Sequence, residues 1–380
     1  MQLLLYPRLA TVLGSTDYGT MLTIIGIVNV ITLAFGNNLA STRLVKELDY
    51  RSLGIQGDFQ ILLLLSSILS GTLILIVCLM FQLVVADSIA LIVLTVTTVI
   101  KSYYIVAFRL EIDYRKNFYA NIALCLGYAI GAWLLLEIMP WGWSFTLANL
   151  LCVIYIARTS SIMREPWEKT PSMASTFRTY MSLIGGGLLG NLTTYLDRFV
   201  VYPVLGAESV SIYSVATFFS KGLTLVSSPL TSVLLTYFTQ GKIRLSKKIY
   251  MIINGTICIG SVLFILICIT IGSWITNLLY PTLFSSAEPY ILLATIGTAI
   301  NIAASFNGVV VLALAPSVWQ TVIPAISLLA YLGMCIVFAT EFGLFGVCWA
   351  AIISNTVRFI LNVVIGWAAV STRDKCCNVA

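Results

Sequence analysis

Apolar segments of about bilayer length recur eleven times along the chain, and the short stretches between them alternate in charge. A helix crosses the hydrocarbon core in about 20 residues. Residues 18–40, 59–83, 88–108, 117–137, 140–158, 178–204, 209–238, 249–279, 288–314, 320–340 and 343–370 each qualify. Residues 1–13 read as the second half of a further span, so the first helix is expected to be truncated. With 59% of residues hydrophobic, 9% charged and a mean hydropathy of +0.99, the chain carries far more apolar surface than a soluble core needs. The expectation is an all-α polytopic membrane protein.

The charges orient the spans. All but five of the 21 Lys and Arg fall in one set of connectors and the tail. These are Arg43, Lys46 and Arg51; Arg109, Arg115 and Lys116; Arg158, Arg164, Lys169 and Arg178; Lys242, Arg244, Lys247 and Lys248; and Arg373 with Lys375. The alternate connectors hold no cation, and each carries an acid: Asp17, Asp87, Glu137, Glu208, Glu288 and Glu341. By the positive-inside rule the first set is cytoplasmic, and so is the C-terminus. Trp141 and Trp143 mark an outer boundary and Trp319 and Trp367 inner ones. The net charge of +6 is therefore spread along one membrane face, and no nucleic-acid partner is expected. The chain has no His, and no metal or cofactor is expected. All Cys but Cys376 and Cys377 lie in apolar segments, where the thiol acts as a small hydrophobe. Asn191 and Asn254 fit a glycosylation pattern, but both sit inside apolar helices.

The stretch "VLGSTDYGTMLTIIGIVNVI" (Val12 to Ile31) is echoed by "VLGAESVSIYSVATFFSKGL" (Val204 to Leu223). Each copy places Leu-Gly at the end of one span, then an acid-bearing turn, then a long apolar helix. Six spans separate the copies, so both face the same way. Two parallel six-helix bundles related by a pseudo-twofold along the membrane normal are expected, a transporter plan. The domains are then 1–158, a cytoplasmic linker 159–177 with two prolines, 178–370, and a tail 371–380. The connectors are too short to fold as a catalytic domain, which argues against a polysaccharide polymerase or ligase.

Five cations remain inside the spans: Arg8, Lys101, Arg198, Lys221 and Arg358. One acid, Asp197, accompanies them. At about 1.5 Å per residue, Lys221 and Arg358 fall near mid-depth, Arg198 and Arg8 nearer the outer surface, and Lys101 nearer the cytoplasmic third. Each such cation costs about 2.5–3.5 kcal/mol at a helix centre unless it meets water, an anion or a partner. Arg8, Lys101 and Arg198 have the alternative of snorkelling to an interface. A cavity lined by cations in such surplus attracts anions and repels cations. Gly127 to Gly131 and Gly185 to Gly190 allow close helix approach, and Pro229 and Pro324 allow kinks.

Two stretches, "RLATVLGSTDYGTMLTIIGIVNVITLAFGNNLAS" and "YLDRFVVYPVLGAESVSIYSVATFFSKGLTLVSSPLTSVLLTYFT", resemble bacterial O-antigen and capsule repeat-unit flippases. These belong to the multidrug/oligosaccharidyl-lipid/polysaccharide exporter superfamily. The resemblance implies a MOP/MATE-like fold of two lobes with alternating access, in the bacterial inner membrane. It implies an undecaprenyl-diphosphate-linked oligosaccharide as substrate, moved to the periplasmic leaflet, with a polysaccharide polymerase as a possible partner. Lys221 and Arg358 would hold the diphosphate at mid-depth, Arg198 and Arg8 would receive it, Lys101 would add to the cationic lining, and Asp197 is the coupling-ion candidate. An organic-cation or multidrug antiporter of the same superfamily is the nearest alternative, and it would call for buried acids. No enzymatic activity is expected.

Overall fold

The structure, a computed structural model, describes residues 1–135, 138–239, 246–316 and 318–377. Glu137, Lys242, Arg244 and residues 378–380 lie outside the described residues, as do the side chains of Asn191, Thr193, Arg373, Lys375, Cys376 and Cys377. The regular structure among the described residues is all helical, with no strand among them. Eight helical stretches among them are long and apolar enough to cross a membrane. Two of these, Leu5–Leu53 and Trp319–Ser371, run to 49 and 53 residues. The second holds two expected spans, divided at Gly343.

By contacts the chain divides into two compact units, Met1–Gly14 with Met21–Arg198, and Ser15–Thr20 with Phe199–Ala380. The first contains most of α1 (Leu5–Thr32), a π turn over Leu33–Asn37, and α2 (Asn38–Leu53). It continues with α3 (Asp58–Met80), α4 (Val85–Tyr104), α5 (Val106–Leu110), α6 (Tyr114–Ile130) and α7 (Trp141–Thr159). Most of α8 (Met173–Leu205) belongs to it as well. Its core is aromatic: Phe59, Tyr103, Tyr104, Tyr50 and Phe108 are buried together. Helices α6 and α7 meet closely at Gly127, where a Cβ would stand 2.3 Å from the Ala148 Cα.

The segment expected as a linker is pinned to this unit along its length. Arg43 of α2 grips Glu165 with both terminal nitrogens, at 2.6 and 3.1 Å. Gln60 donates to the Ile162 carbonyl at 2.8 Å and is itself held by the Tyr104 hydroxyl. Asp58, fully buried, accepts from the Thr170 N–H, the Thr170 hydroxyl and the Tyr50 hydroxyl. Tyr50 also bonds Thr176 at 2.8 Å. Polar composition made 159–177 read as a linker; those same polar groups supply its anchors.

The second unit contains the end of α8, then α9 (Ala207–Ala216), α10 (Phe218–Thr239), α11 (Lys247–Ile267), a π turn over Cys268–Gly272, α12 (Ser273–Leu279), α13 (Pro281–Leu314) and α14 (Trp319–Cys377). The expected span 209–238 is broken at Thr217 between α9 and α10. Phe238, Tyr250, Val310 and Val370 form part of its core.

The sequence repeat has a backbone counterpart. Gly14 (φ 76°, ψ 178°) and Gly206 (φ 84°, ψ 171°) adopt nearly the same conformation, in a region essentially confined to glycine. The copies also touch reciprocally. Ser211 Oγ donates to the Ser15 carbonyl, and a Cβ on Gly19 would lie 1.8 Å from the Ala207 carbonyl oxygen. In the register of the repeat Ser15 corresponds to Ala207 and Gly19 to Ser211, so one contact is the image of the other.

Two outcomes follow from these contacts. Gly14→Ala and Gly206→Ala each meet open space, so their cost is conformational, about 1–3 kcal/mol, read as a fall in detergent-solubilised Tm. Glu165→Ala leaves the buried Arg43 with Glu47 alone, and a loss of about 3 kcal/mol is expected in the same measurement. An unchanged Tm would mean the segment is not held by this pair.

Candidate functional site

The five intramembrane cations divide between the units. Arg8, Lys101 and Arg198 lie in the first; Lys221 and Arg358 lie in the second.

Arg198 projects from α8 and donates through Nη1 to the Leu22 carbonyl of α1 at 3.0 Å. Its guanidinium lies 5.8 Å from the Tyr195 ring centroid. Asp197 is buried, and its carboxylate accepts from the backbone N–H of Arg198 at 3.0 Å, not from the guanidinium. The adjacent acid and base therefore serve different partners, as a 100° turn between neighbouring helix positions requires. Arg8 lies over the Trp133 ring at 5.6 Å, a cation–π contact. Lys101, in the last turn of α4, is partly buried, and its ammonium group has no hydrogen bond or ion pair among the described residues.

Arg358 sits within α14 and donates through Nη1 to the Asn301 side-chain oxygen of α13 at 2.9 Å. Its Nε is buried without a hydrogen bond. Around it the seam between α13 and α14 is laced by amides. Asn355 donates to the Gly297 carbonyl at 3.1 Å and Asn362 donates to the Ala304 carbonyl at 3.0 Å, while Asn307 of α13 accepts from Tyr250 of α11 at 2.9 Å. Positions 355, 358 and 362 share one helix face. Sequence reasoning singled out Arg358 and missed this ladder. The i, i+3, i+7 spacing of two amides and a guanidinium in an apolar helix was the available signal. Lys221 of α10 is exposed on its unit and lies 5.5 Å from the Tyr213 ring.

Lys101, Arg198 and Arg358 have no carboxylate partner among the described residues, and the ion pairs found there, such as Arg43–Glu165 and Lys46–Asp49, lie in the basic connectors. No group of three His, Cys, Asp or Glu side chains that could hold a metal ion converges among the described residues.

No family model matches the chain, and no curated protein matches it. Solved structures do. An inward-facing multidrug resistance MATE family transporter of the MOP superfamily superposes with a TM-score of 0.75 at 14% identity, covering 97% of this chain and 94% of that one. The chain has a MATE transporter fold. An outward-facing MATE family transporter of the MOP superfamily matches with a TM-score of 0.61, at 14% identity over 97% of this chain and 89% of that one. The Vibrio cholerae MATE transporter VcmN, in its bent form, matches with a TM-score of 0.54, at 12% identity over 97% of this chain and 92% of that one. The fold is thus an all-helical bundle of the kind these transporters have, with helices long and apolar enough to cross a membrane.

The Arg358–Asn301 contact is open to direct measurement. Asn301→Leu strands a half-buried guanidinium, and a loss of about 1–3 kcal/mol is expected. Removing Arg358 as well, as leucine, should restore most of the Tm. A single variant as stable as the parent would show the contact to be idle.

Proposed function

We propose that this chain exports an anionic lipid-linked oligosaccharide by alternating access, carrying a diphosphate-linked glycan across the bacterial inner membrane from the cytoplasmic to the periplasmic leaflet. An undecaprenyl carrier is the form that the family resemblance implies. The observation that supports this reading best is the manner in which Arg358 is satisfied. Its partner is a neutral amide, so no acid cancels the guanidinium charge within the bundle. Lys101 and Arg198 likewise have no carboxylate partner among the described residues. Moving a diphosphate through about 30 Å of hydrocarbon demands that its hydration be replaced by fixed positive charge. Lys221 and Arg358 would bear it at mid-depth, and Arg198 and Arg8 would meet it further out. Lys101 would take part nearer the entry side. Asp197 is the one intramembrane acid and would serve a coupling ion if one is used. An inside-negative potential drives anions outward by about 2.3 kcal/mol per charge per 100 mV, so ion coupling is not obligatory.

A second reading, multidrug export, draws support from the multidrug resistance transporters that share the fold. The surplus of cations weighs against organic cations as its cargo.

In cells that depend on the chain for surface polysaccharide, Lys221→Ala and Arg358→Ala should each abolish the polymer at normal protein levels, with Lys221→Arg retaining part of it. Normal polymer from both alanine variants sinks the proposal. Resistance to cationic dyes conferred by the parent chain, without any effect on polysaccharide, would favour drug export.

A further inference from the structure

We infer that the first unit carries a sugar-binding cleft on the side of the basic connectors, separate from the intramembrane cations. A cleft of about 470 Å³ opens there, within the range of small-molecule sites. Its polar wall is built from Arg43, Glu47, Arg51, Glu111, Ser161 and Glu165, contributed by α2, the end of α5 and the pinned 159–177 segment.

Its charges are answered in place. Arg43 pairs with Glu47 and Glu165, Arg51 pairs with Glu47 at 2.6 Å, and Glu111 pairs with Lys116 at 3.0 Å. An anion or a cation entering this wall therefore finds no uncompensated opposite charge. A polyhydroxylated neutral ligand does find partners, because each hydroxyl both donates and accepts. Carboxylates take two neighbouring hydroxyl protons and guanidinium groups donate to ring or hydroxyl oxygens. Capacity for such bonds is left over at the rim, where Arg51 and Glu111 are exposed and each carboxylate oxygen can accept more than one hydrogen bond. Arg43 is only 5% exposed and is fixed against the Phe59 ring at 4.7 Å, so the wall is rigid. Ala107, Leu110 and Ile162 supply an apolar floor suited to the C–H face of a pyranose.

Burial pushes the Glu165 carboxyl up, against the pull of Arg43, whereas the Ser161 hydroxyl and Lys116 hold Glu111 below the usual carboxylate range. Glu111 therefore stays ionised and accepting at neutral pH. The inference rests on the export reading only in naming the sugar as part of the carried lipid; the cleft is defined without it.

The test uses the full chain in nanodiscs. Methyl glycosides of glucose, galactose and N-acetylglucosamine are titrated by calorimetry, beside sodium pyrophosphate and tetraphenylphosphonium. Saturable binding of at least one glycoside is expected. Arg51→Ala and Glu111→Gln, both at the exposed rim, should each weaken it about tenfold with unchanged Tm. Lys221→Ala should leave it alone. Absence of saturable glycoside binding, indifference to both rim variants, or pyrophosphate binding that disappears in Arg51→Ala overturns the site. Glycoside binding that behaves as expected while Lys221→Ala and Arg358→Ala export normally refutes the export reading and leaves the cleft standing. The reverse pattern refutes the cleft alone.

Discussion

Hydrocarbon offers no hydrogen bonds, so every polar group carried into it must be answered by the chain itself or face a wet surface. The architecture follows from that constraint. Backbone groups are satisfied within helices, and the hydroxyls follow suit: Thr95 bonds the Leu91 carbonyl and Thr97 bonds those of Val93 and Leu94. Guanidinium groups are harder to satisfy, because they bring five donors and a permanent charge. Arg198 meets a backbone carbonyl and an aromatic ring, and Arg358 meets a side-chain amide. Neither solution neutralises the charge. Ion pairs such as Arg43–Glu165 occur instead in the basic connectors, where the side chains hold the fold in place.

The spans were legible because their signal is local and strong. A run of apolar residues about 20 long has few folds open to it. The repeat was legible too, since Leu-Gly followed by an acid is short and recurs in register. Its physical content was not. That Gly14 and Gly206 share a glycine-only conformation, and that the two copies contact each other reciprocally, depends on three-dimensional placement. Helix ends were read less well. The helix after Gly14 runs on through a π turn to Leu53, well beyond the expected boundary at residue 40, because nothing between them breaks helical hydrogen bonding. Residues 41–53 hold charge, and charge ends a membrane crossing without ending a helix.

The 159–177 segment was the hardest to read. Prolines, serines and charges mark a solvated connector in composition, and composition cannot say where a side chain finds its partner. Glu165 finds Arg43 across 122 residues, and Thr170 finds Asp58 across 112. Once these partners are in place, the segment becomes one wall of a cleft. Asn301, Asn355 and Asn362 escaped notice for a related reason. An amide in a membrane helix carries no charge to flag it, although its value as an interhelical partner is high.

The choice of amide over acid at position 301 bears on what the bundle can carry. A carboxylate in contact with Arg358 would satisfy the same nitrogen and cancel the charge, since opposite charges a few ångströms apart attract strongly in a low-dielectric interior. A neutral oxygen satisfies geometry alone. It orients the guanidinium, leaves the positive field intact, and leaves Nε without a bond. That arrangement is costly as pure structure, because a hydrocarbon side chain of similar volume would pack at lower cost. On the proposed export reading it becomes favourable when an anion passes, because the charge is already fixed in place and no partner must first be displaced. The same logic runs in reverse at the connector-side cleft, where the charges are paired and the ligand inferred for it carries none.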